Sequence, residues 1–351
     1  QNARSVTMRN LHRVIAVVAA ICFFVLPAAG MSAAEEAAAS QAWLISTRHL
    51  PACTPSSDAQ PDYSVLLEDC QWSPVPAEDF FACDSPQTPT IVLVHGNRVE
   101  RHEAVAEGLR VYEILKGLAG GAPFRLVVWS WPADQIRGPL RDVRLKAART
   151  DAQGHYLASV LNRLHPDVPL TLIGYSFGSR LVTGSLELLA GGSVAGRSLS
   201  DRRDTPQRRI RAILIAAALD SHWLSPGQYH GQALSQVERA LVTVNSADPV
   251  LKRYHLISRC SNPQALGWSG PTGGACLGGW AEKLDVVDVT CVVGAQHSFF
   301  PYLYAPAVMS RLAWYSFLEE PQSAAPIEDP PPVGPALTGE SSIEQVPAVG
   351  G

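Results

Sequence analysis

Ser176 sits between two glycines in Gly174-Tyr175-Ser176-Phe177-Gly178, with apolar, β-branched residues before it and a helical pattern after it. A serine hydroxyl is a poor nucleophile until a base takes its proton, and that base needs an orienting carboxylate. Asp248, in Asn245-Ser246-Ala247-Asp248-Pro249, and His297, in Gly294-Ala295-Gln296-His297-Ser298, follow it in the order Ser, Asp, His. Each stands just past an apolar run, so three strand ends would bring hydroxyl, imidazole and carboxylate together. Asp248-Pro249 also reads as a plain turn. Asp220, which ends the run from Ile210 to Ala218 and has His222 and His255 near it in sequence, is the alternative acid. The ordinary alternative for His297 is a buried, hydrogen-bonded core histidine.

The spacing of the glycines implies a strained turn. A serine forced toward positive φ between a strand and a helix costs about 1–3 kcal/mol. Glycines two residues away on each side would relieve the crowding where strand and helix meet. Charge developing on an attacked carbonyl oxygen requires donors already aimed at it. The Phe177 N–H, at the start of the helix, is one candidate. Gly96 and Asn97, in Val94-His95-Gly96-Asn97-Arg98, suggest the other: Gly96 admits close approach and the Asn97 N–H points at the oxyanion. His95 reads as structural. Arg98 is either a surface residue or a partner for a substrate carboxylate or phosphate. Trp131, His222, Trp223 and Tyr229 are candidate pocket walls, although aromatic residues more often simply fill a core.

These residues need a scaffold, and the pattern from about residue 90 supplies one. Strands are expected at Thr90–Val94, Arg125–Trp129, Leu170–Tyr175, Ile210–Ala218, Ala240–Val244 and Val286–Val293. Helices are expected near Val99–Leu118, Pro139–Leu164, Phe177–Leu189 and Ala305–Leu318. Short apolar runs alternating with helices predict an α/β fold, a doubly wound and mostly parallel sheet covered on both faces.

Around residues 90–320, the remaining segments differ in composition. Residues 1–34 read as upstream sequence and a signal peptide. Met8 is the expected start, Arg9, His12 and Arg13 precede an apolar run from Val14 to Leu26, and small residues follow. The mature chain would begin between about residues 29 and 35, exported to the periplasm, cell surface or medium; an uncleaved membrane anchor is the other option. Residues 35–89, rich in proline and cysteine with one strand at Trp43–Ser46, read as an extension stapled onto the domain. Residues 321–351 have the composition of a disordered tail.

The chain has 351 residues, 46% hydrophobic and 17% charged, with a net charge of −4, which offers no electrostatic footprint for nucleic acid. Its seven cysteines include Cys22 in the signal segment and six others, an even number that favours disulfides in an exported chain. No C-x-x-C pair occurs, and neither a metal nor an organic cofactor is expected. Cys260 and Cys276 flank a glycine-rich loop and are expected to pair. Cys53, Cys70 and Cys83 would supply one bridge and one thiol, and Cys291 a second thiol buried on the last strand.

Val94-His95-Gly96-Asn97, the Gly-x-Ser-x-Gly turn, and Asp248 and His297 in that order together resemble the α/β-hydrolase superfamily over about residues 88–320. Val127-Val128-Trp129-Ser130-Trp131-Pro132, followed by a long helix, looks like a poorly characterised branch of it, most similar to exported hydrolases of planctomycete-type bacteria. The resemblance implies a serine hydrolase, an esterase above all, acting on a small ester-like molecule through an acyl-enzyme. Amide, thioester or lactone cleavage is not separable from it on sequence. A non-catalytic binding or scaffolding domain on the same fold is the contrasting reading. The chain lacks the extended His-Gly-Gly-Gly of lipases and a long apolar lid, which argues against an insoluble lipid substrate.

Overall fold

The computed structural model describes residues 40–318, except 57–58, 69, 204–207, 259–261 and 273–276. Among them nine strands form one sheet: β1 (Gln41–Ser46), β2 (Asp62–Leu66), β3 (Trp72–Val75), β4 (Thr90–Val94), β5 (Arg125–Ser130), β6 (Leu170–Tyr175), β7 (Ile210–Ile215), β8 (Arg239–Val244) and β9 (Leu284–Asp288). The helices are α1 (Ala77–Ala82), α2 (Arg101–Ala119), α3 (Pro139–Arg163), α4 (Phe177–Leu189), α5 (Leu266–Ser269), α6 (Thr290–Val293), α7 (Phe299–Leu303) and α8 (Pro306–Tyr315). Every residue of β4, β5, β6 and β7 is buried, as expected for continuous apolar runs covered on both faces. Helices α3 and α4 pack together, and α8 packs against α2 and β7. This is the doubly wound, mostly parallel α/β architecture expected.

The strand order is β3-β2-β1-β5-β4-β6-β7-β8-β9, and pairing is parallel from β1 through to β9. From β4 the chain passes through α2 to β5 on one side, then returns through α3 to β6 on the other. The order therefore reverses at β4, and the loops leaving β4 and β6 lie side by side at their carboxyl ends. A crevice at such a switch point is where open α/β sheets hold ligands.

Some elements differ from expectation. The segment read as an extension builds the sheet's edge: β1 runs parallel to β5, and β2 and β3 add antiparallel strands. Strand β7 stops at Ile215, because Ala216 has a φ of 46° and turns the chain. The expected strand Val286–Val293 is split. The Asp288 carboxylate accepts the Thr290 N–H at 2.8 Å, which ends β9 and starts the single turn α6. Cys291 is consequently exposed on that turn, where a buried strand position was expected. Cys53, Cys70 and Cys83 are exposed free thiols with no bridge among them, which corrects the expected pairing. The signal segment with Cys22, the tail and the Cys260–Cys276 pairing lie outside the described residues.

Candidate active site

Strand β6 and helix α4 are joined by one residue. Ser176 has φ 53° and ψ −117°, a region that non-glycine residues avoid. Its N–H donates to the Ile215 carbonyl at 2.9 Å, and its carbonyl accepts from Ala218 N at 3.2 Å, so β7 grips the turn from the side. The flanking glycines are there for space. A Cβ on Gly178 would stand 2.1 Å from the Val94 carbonyl oxygen, and one on Gly174 2.5 Å from Ser179 Cα.

Ser176 Oγ lies 3.0 Å from His297 Nε2, and His297 Nδ1 lies 2.7 Å from Asp248 Oδ2. His297 is in the loop between α6 and α7, where the Tyr175 hydroxyl donates to its carbonyl. Asp248 begins the turn after β8 and is wholly buried. Its Oδ1 accepts the N–H groups of Val250 and Leu251 at 2.8 and 3.0 Å, and its Oδ2 also accepts the Tyr302 hydroxyl at 2.5 Å. Burial alone would raise this carboxyl. The bonds from His297, Tyr302 and Leu251 outweigh that and hold it below its ordinary value. An ionised carboxylate is acceptor-only, which assigns the proton of the neutral ring to Nδ1 and leaves Nε2 to accept from the Ser176 hydroxyl. Asn245 Nδ2 donates to the Tyr302 hydroxyl at 3.0 Å, completing the support behind the acid.

The loop after β4 passes close to this turn: a Cβ on Gly96 would stand 2.9 Å from the Tyr175 ring. Phe177 is the first residue of α4, where an N–H has no partner within its helix. Among the described residues neither the Phe177 nor the Asn97 N–H has an acceptor. Both residues line the same cleft as Ser176 and His297, about 330 Å³ in volume.

That loop is itself clamped. Arg98 has a φ of 58°; its N–H donates to the Ala133 carbonyl at 2.9 Å and its Nε to Asp142 Oδ2 at 2.7 Å. Asn97 Nδ2 reaches the same oxygen at 3.3 Å, while Ile136 N and Lys146 Nζ hold Asp142 Oδ1 at 3.1 and 2.9 Å. Asp142 and Lys146 are wholly buried in the first turns of α3. Burial works against ionisation of Asp142, but its bonds from Arg98, Lys146 and Ile136 leave the carboxyl below its ordinary value. His95 is structural: its Nδ1 is 2.9 Å from the Gly96 carbonyl, and its Nε2 accepts the Trp131 N–H at 3.2 Å. Burial drives its pKa down to about 3, so the ring is neutral.

Several expected residues are elsewhere. Asp220 accepts the Tyr254 hydroxyl at 2.6 Å and does not meet His297. Trp131 is not a pocket wall; it is wholly buried, stacked on His95 with its indole N–H on the His95 carbonyl. His222 is exposed and off the cleft, and His255 is exposed too. Trp223 and Tyr229 pack on each other and on His230, also away from Ser176. The walls are instead Leu140 and Val143 of α3 and Val250, Leu251 and Leu256 after β8. Sequence reasoning missed these, together with Asp142, Tyr302 and Arg253. Only Asp142, a lone acid among arginines at the start of a helix, left a visible signal. A larger cavity, about 460 Å³, is lined by Pro55, Ser56, residues 59–61, α3 and residues 197–201, but among the described residues no serine there meets an imidazole nitrogen; Ser159 donates to the backbone carbonyl of His155.

No family model matches the chain, and no curated protein does. Among solved structures it is similar to carboxyl esterase 2 of the mycorrhizal fungus Tuber melanosporum, at 15% identity and a TM-score of 0.36, covering 74% of this chain and 82% of that one. It is also similar to the catalytic core of an acetyl xylan esterase from Trichoderma reesei, at 14% identity and a TM-score of 0.32, covering 67% and 98%. A third is a lipase-esterase related protein from Clostridium acetobutylicum, at 10% identity and a TM-score of 0.29, covering 67% and 97%. Likeness this remote says nothing of substrate or reaction.

Proposed function

We propose that this protein is a serine hydrolase that cleaves small carboxylic esters through an acyl-enzyme. One observation carries the reading: a hydrogen-bonded chain from Ser176 Oγ through His297 to a buried, ionised Asp248, set beside two unpartnered N–H groups. Ser176 Oγ attacks the ester carbonyl carbon while His297 Nε2 takes its proton. Asp248 keeps the other ring proton on Nδ1 and stabilises the imidazolium. The Phe177 and Asn97 N–H groups meet the oxygen as it becomes negative. Each such donor contributes about 3–4 kcal/mol to the transition state. The tetrahedral intermediate collapses, His297 passes its proton to the departing alcohol, and Ser176 is left acylated. Water then attacks with His297 as base, and the carboxylic acid leaves.

The test uses purified protein with a fluorophosphonate probe and a p-nitrophenyl ester. Labelling at Ser176 alone, lost in Ser176→Ala together with ester turnover, is the expected outcome. A folded protein that neither labels nor turns over the ester overturns the proposal.

A further inference from the structure

The walls of the Ser176 cleft combine two chemistries. One is apolar. Leu140, Val250 and Leu256 remain 45%, 52% and 37% exposed at the cleft, three of the seven large hydrophobic side chains exposed among the described residues. Apolar surface concentrated at one mouth is a place for an apolar group to cover. The other is cationic. Arg98 and Arg253 both line the cleft, one from the loop after β4 and one from the 3-10 turn Leu251–Ile257. No aspartate or glutamate joins them in the lining.

The charge on these arginines is not spent. Arg98 gives only its Nε to Asp142, which fixes the guanidinium and leaves its terminal nitrogens without an acceptor among the described residues. Asp142 also serves Lys146, so one carboxylate lies among two cations and one positive charge remains uncompensated. Arg253 donates from one terminal nitrogen to the Pro249 carbonyl, at 2.7 Å, and meets no carboxylate among the described residues. A fixed guanidinium fork with free N–H groups matches the geometry of a carboxylate or phosphate. Asp248 is engaged by His297 and Tyr302 and Asp220 by Tyr254, and among the described residues neither pairs with Arg98 or Arg253.

We infer that the cleft takes an amphiphilic anion: the substrate is an ester with a short apolar chain and a carboxylate or phosphate group, recognised by Arg98 and Arg253. This rests on the hydrolase reading, and it refines the substrate class within it. The apolar chain covers Leu140, Val250 and Leu256 while the anion replaces water on the two guanidinium groups. At about 330 Å³ the cleft is at the small end of ligand sites, which suits a compact molecule.

The test separates binding from turnover. The Ser176→Ala protein is titrated calorimetrically with octanoate, octyl phosphate and neutral octanamide. The expected result is at least about tenfold tighter binding of one or both anions than of the amide, about 1.4 kcal/mol. Whichever anion binds more tightly identifies the headgroup. Adding Arg98→Gln or Arg253→Gln should reduce that preference to about threefold or less. Arg253 stands on an exposed turn, so its variant remains informative if the Arg98 variant fails to fold. Equal binding of amide and anions, or a preference unmoved in the Arg253 variant, overturns the inference. With intact enzyme, mono-p-nitrophenyl adipate should exceed p-nitrophenyl heptanoate in kcat/KM by a similar factor. Anion-selective binding without turnover of either ester would overturn the hydrolase reading while leaving the ligand preference standing.

Discussion

Ser176 after β6 and Arg98 after β4 both hold a positive φ, 53° and 58°, and they hold it by different means. The serine turn is gripped by backbone. Ile215 and Ala218 bond its peptide groups, and Gly178 lies against the Val94 carbonyl. The neighbouring loop is gripped by side chains: Asp142 holds Arg98 and Asn97, Lys146 shares Asp142, and Arg48 Nη2 donates to the Val99 carbonyl at 2.8 Å. Strain held by neighbouring strands cannot be released without dismantling the sheet. The Arg98 N–H also reaches the Ala133 carbonyl, but the side-chain part of this grip converges on one buried carboxylate and depends on its charge.

The largest effect expected at the backbone-held turn comes from its chemistry, with the fold unchanged. Ser176→Ala and His297→Ala should each lower kcat by about 10⁶-fold, with the double variant no worse than either alone. Asp248→Asn should lose about 10⁴-fold through the wrong imidazole tautomer. All should unfold at nearly the parent temperature, measured calorimetrically; additive losses in the double variant would mean that the residues do not act as a unit.

The side-chain-held loop should break in both respects. Asp142→Asn is expected to lower kcat about 100-fold, by misplacing one oxyanion donor. It should also destabilise the protein by about 3–5 kcal/mol, because Lys146 is left buried without its counter-charge. Asp142→Asn with Lys146→Met sharpens the contrast: stability should return and kcat should not. Recovery of both would show that Asp142 matters for folding alone.

The two regions should also separate with pH. His95 belongs to the loop and is held neutral, with its pKa lowered to about 3. The unfolded chain binds a proton there near pH 6.5, the folded one only near pH 3. Its contribution is therefore present above pH 6.5 and is lost as pH falls toward 3, at up to about 1.4 kcal/mol per unit. Glu107, pushed up to about 7 by burial, acts in the opposite sense between pH 4.5 and 7, so the measurement must be a difference. Urea denaturation of the parent minus His95→Gln should show this slope; a flat difference would remove His95 as the loop's acid-sensitive element. The smallest effect is expected from Asp220→Asn, less than about tenfold in rate, since its partner is the Tyr254 wall. A crippled Asp220 variant beside a mild Asp248 variant would move the acid to β7.

The contrast between backbone and side chains also explains what was legible beforehand. Strand Leu170–Tyr175 and helix Phe177–Leu189 lie where the pattern puts them, because glycines and buried apolar runs are local requirements. The order Ser, Asp, His was visible because each residue follows an apolar run, although the run before His297 divides into β9 and the turn α6. The walls were not. Trp131 and Tyr229 were chosen by residue type, whereas wall membership depends on which loops converge after folding. Edge strands β2 and β3 are half-buried, with Pro74 inside β3, so no clean alternation marked them. Asp142 could be seen as an acid in a first turn, but its partners Asn97 and Arg98 lie 45 and 44 residues away.

The bond between Ser176 and His297 spans 121 residues, and that between His297 and Asp248 spans 49. On a ribosome, the turn around Ser176 emerges long before its base. Loop closure of this length is slow relative to local structure. A nascent chain that stops short of residue 297 has its serine and lacks anything to deprotonate it. On the proposed mechanism, reactivity toward a fluorophosphonate is expected to serve as a clock: it would start only when the distal part of the chain has docked and so time completion of folding, where helix content would report only its beginning.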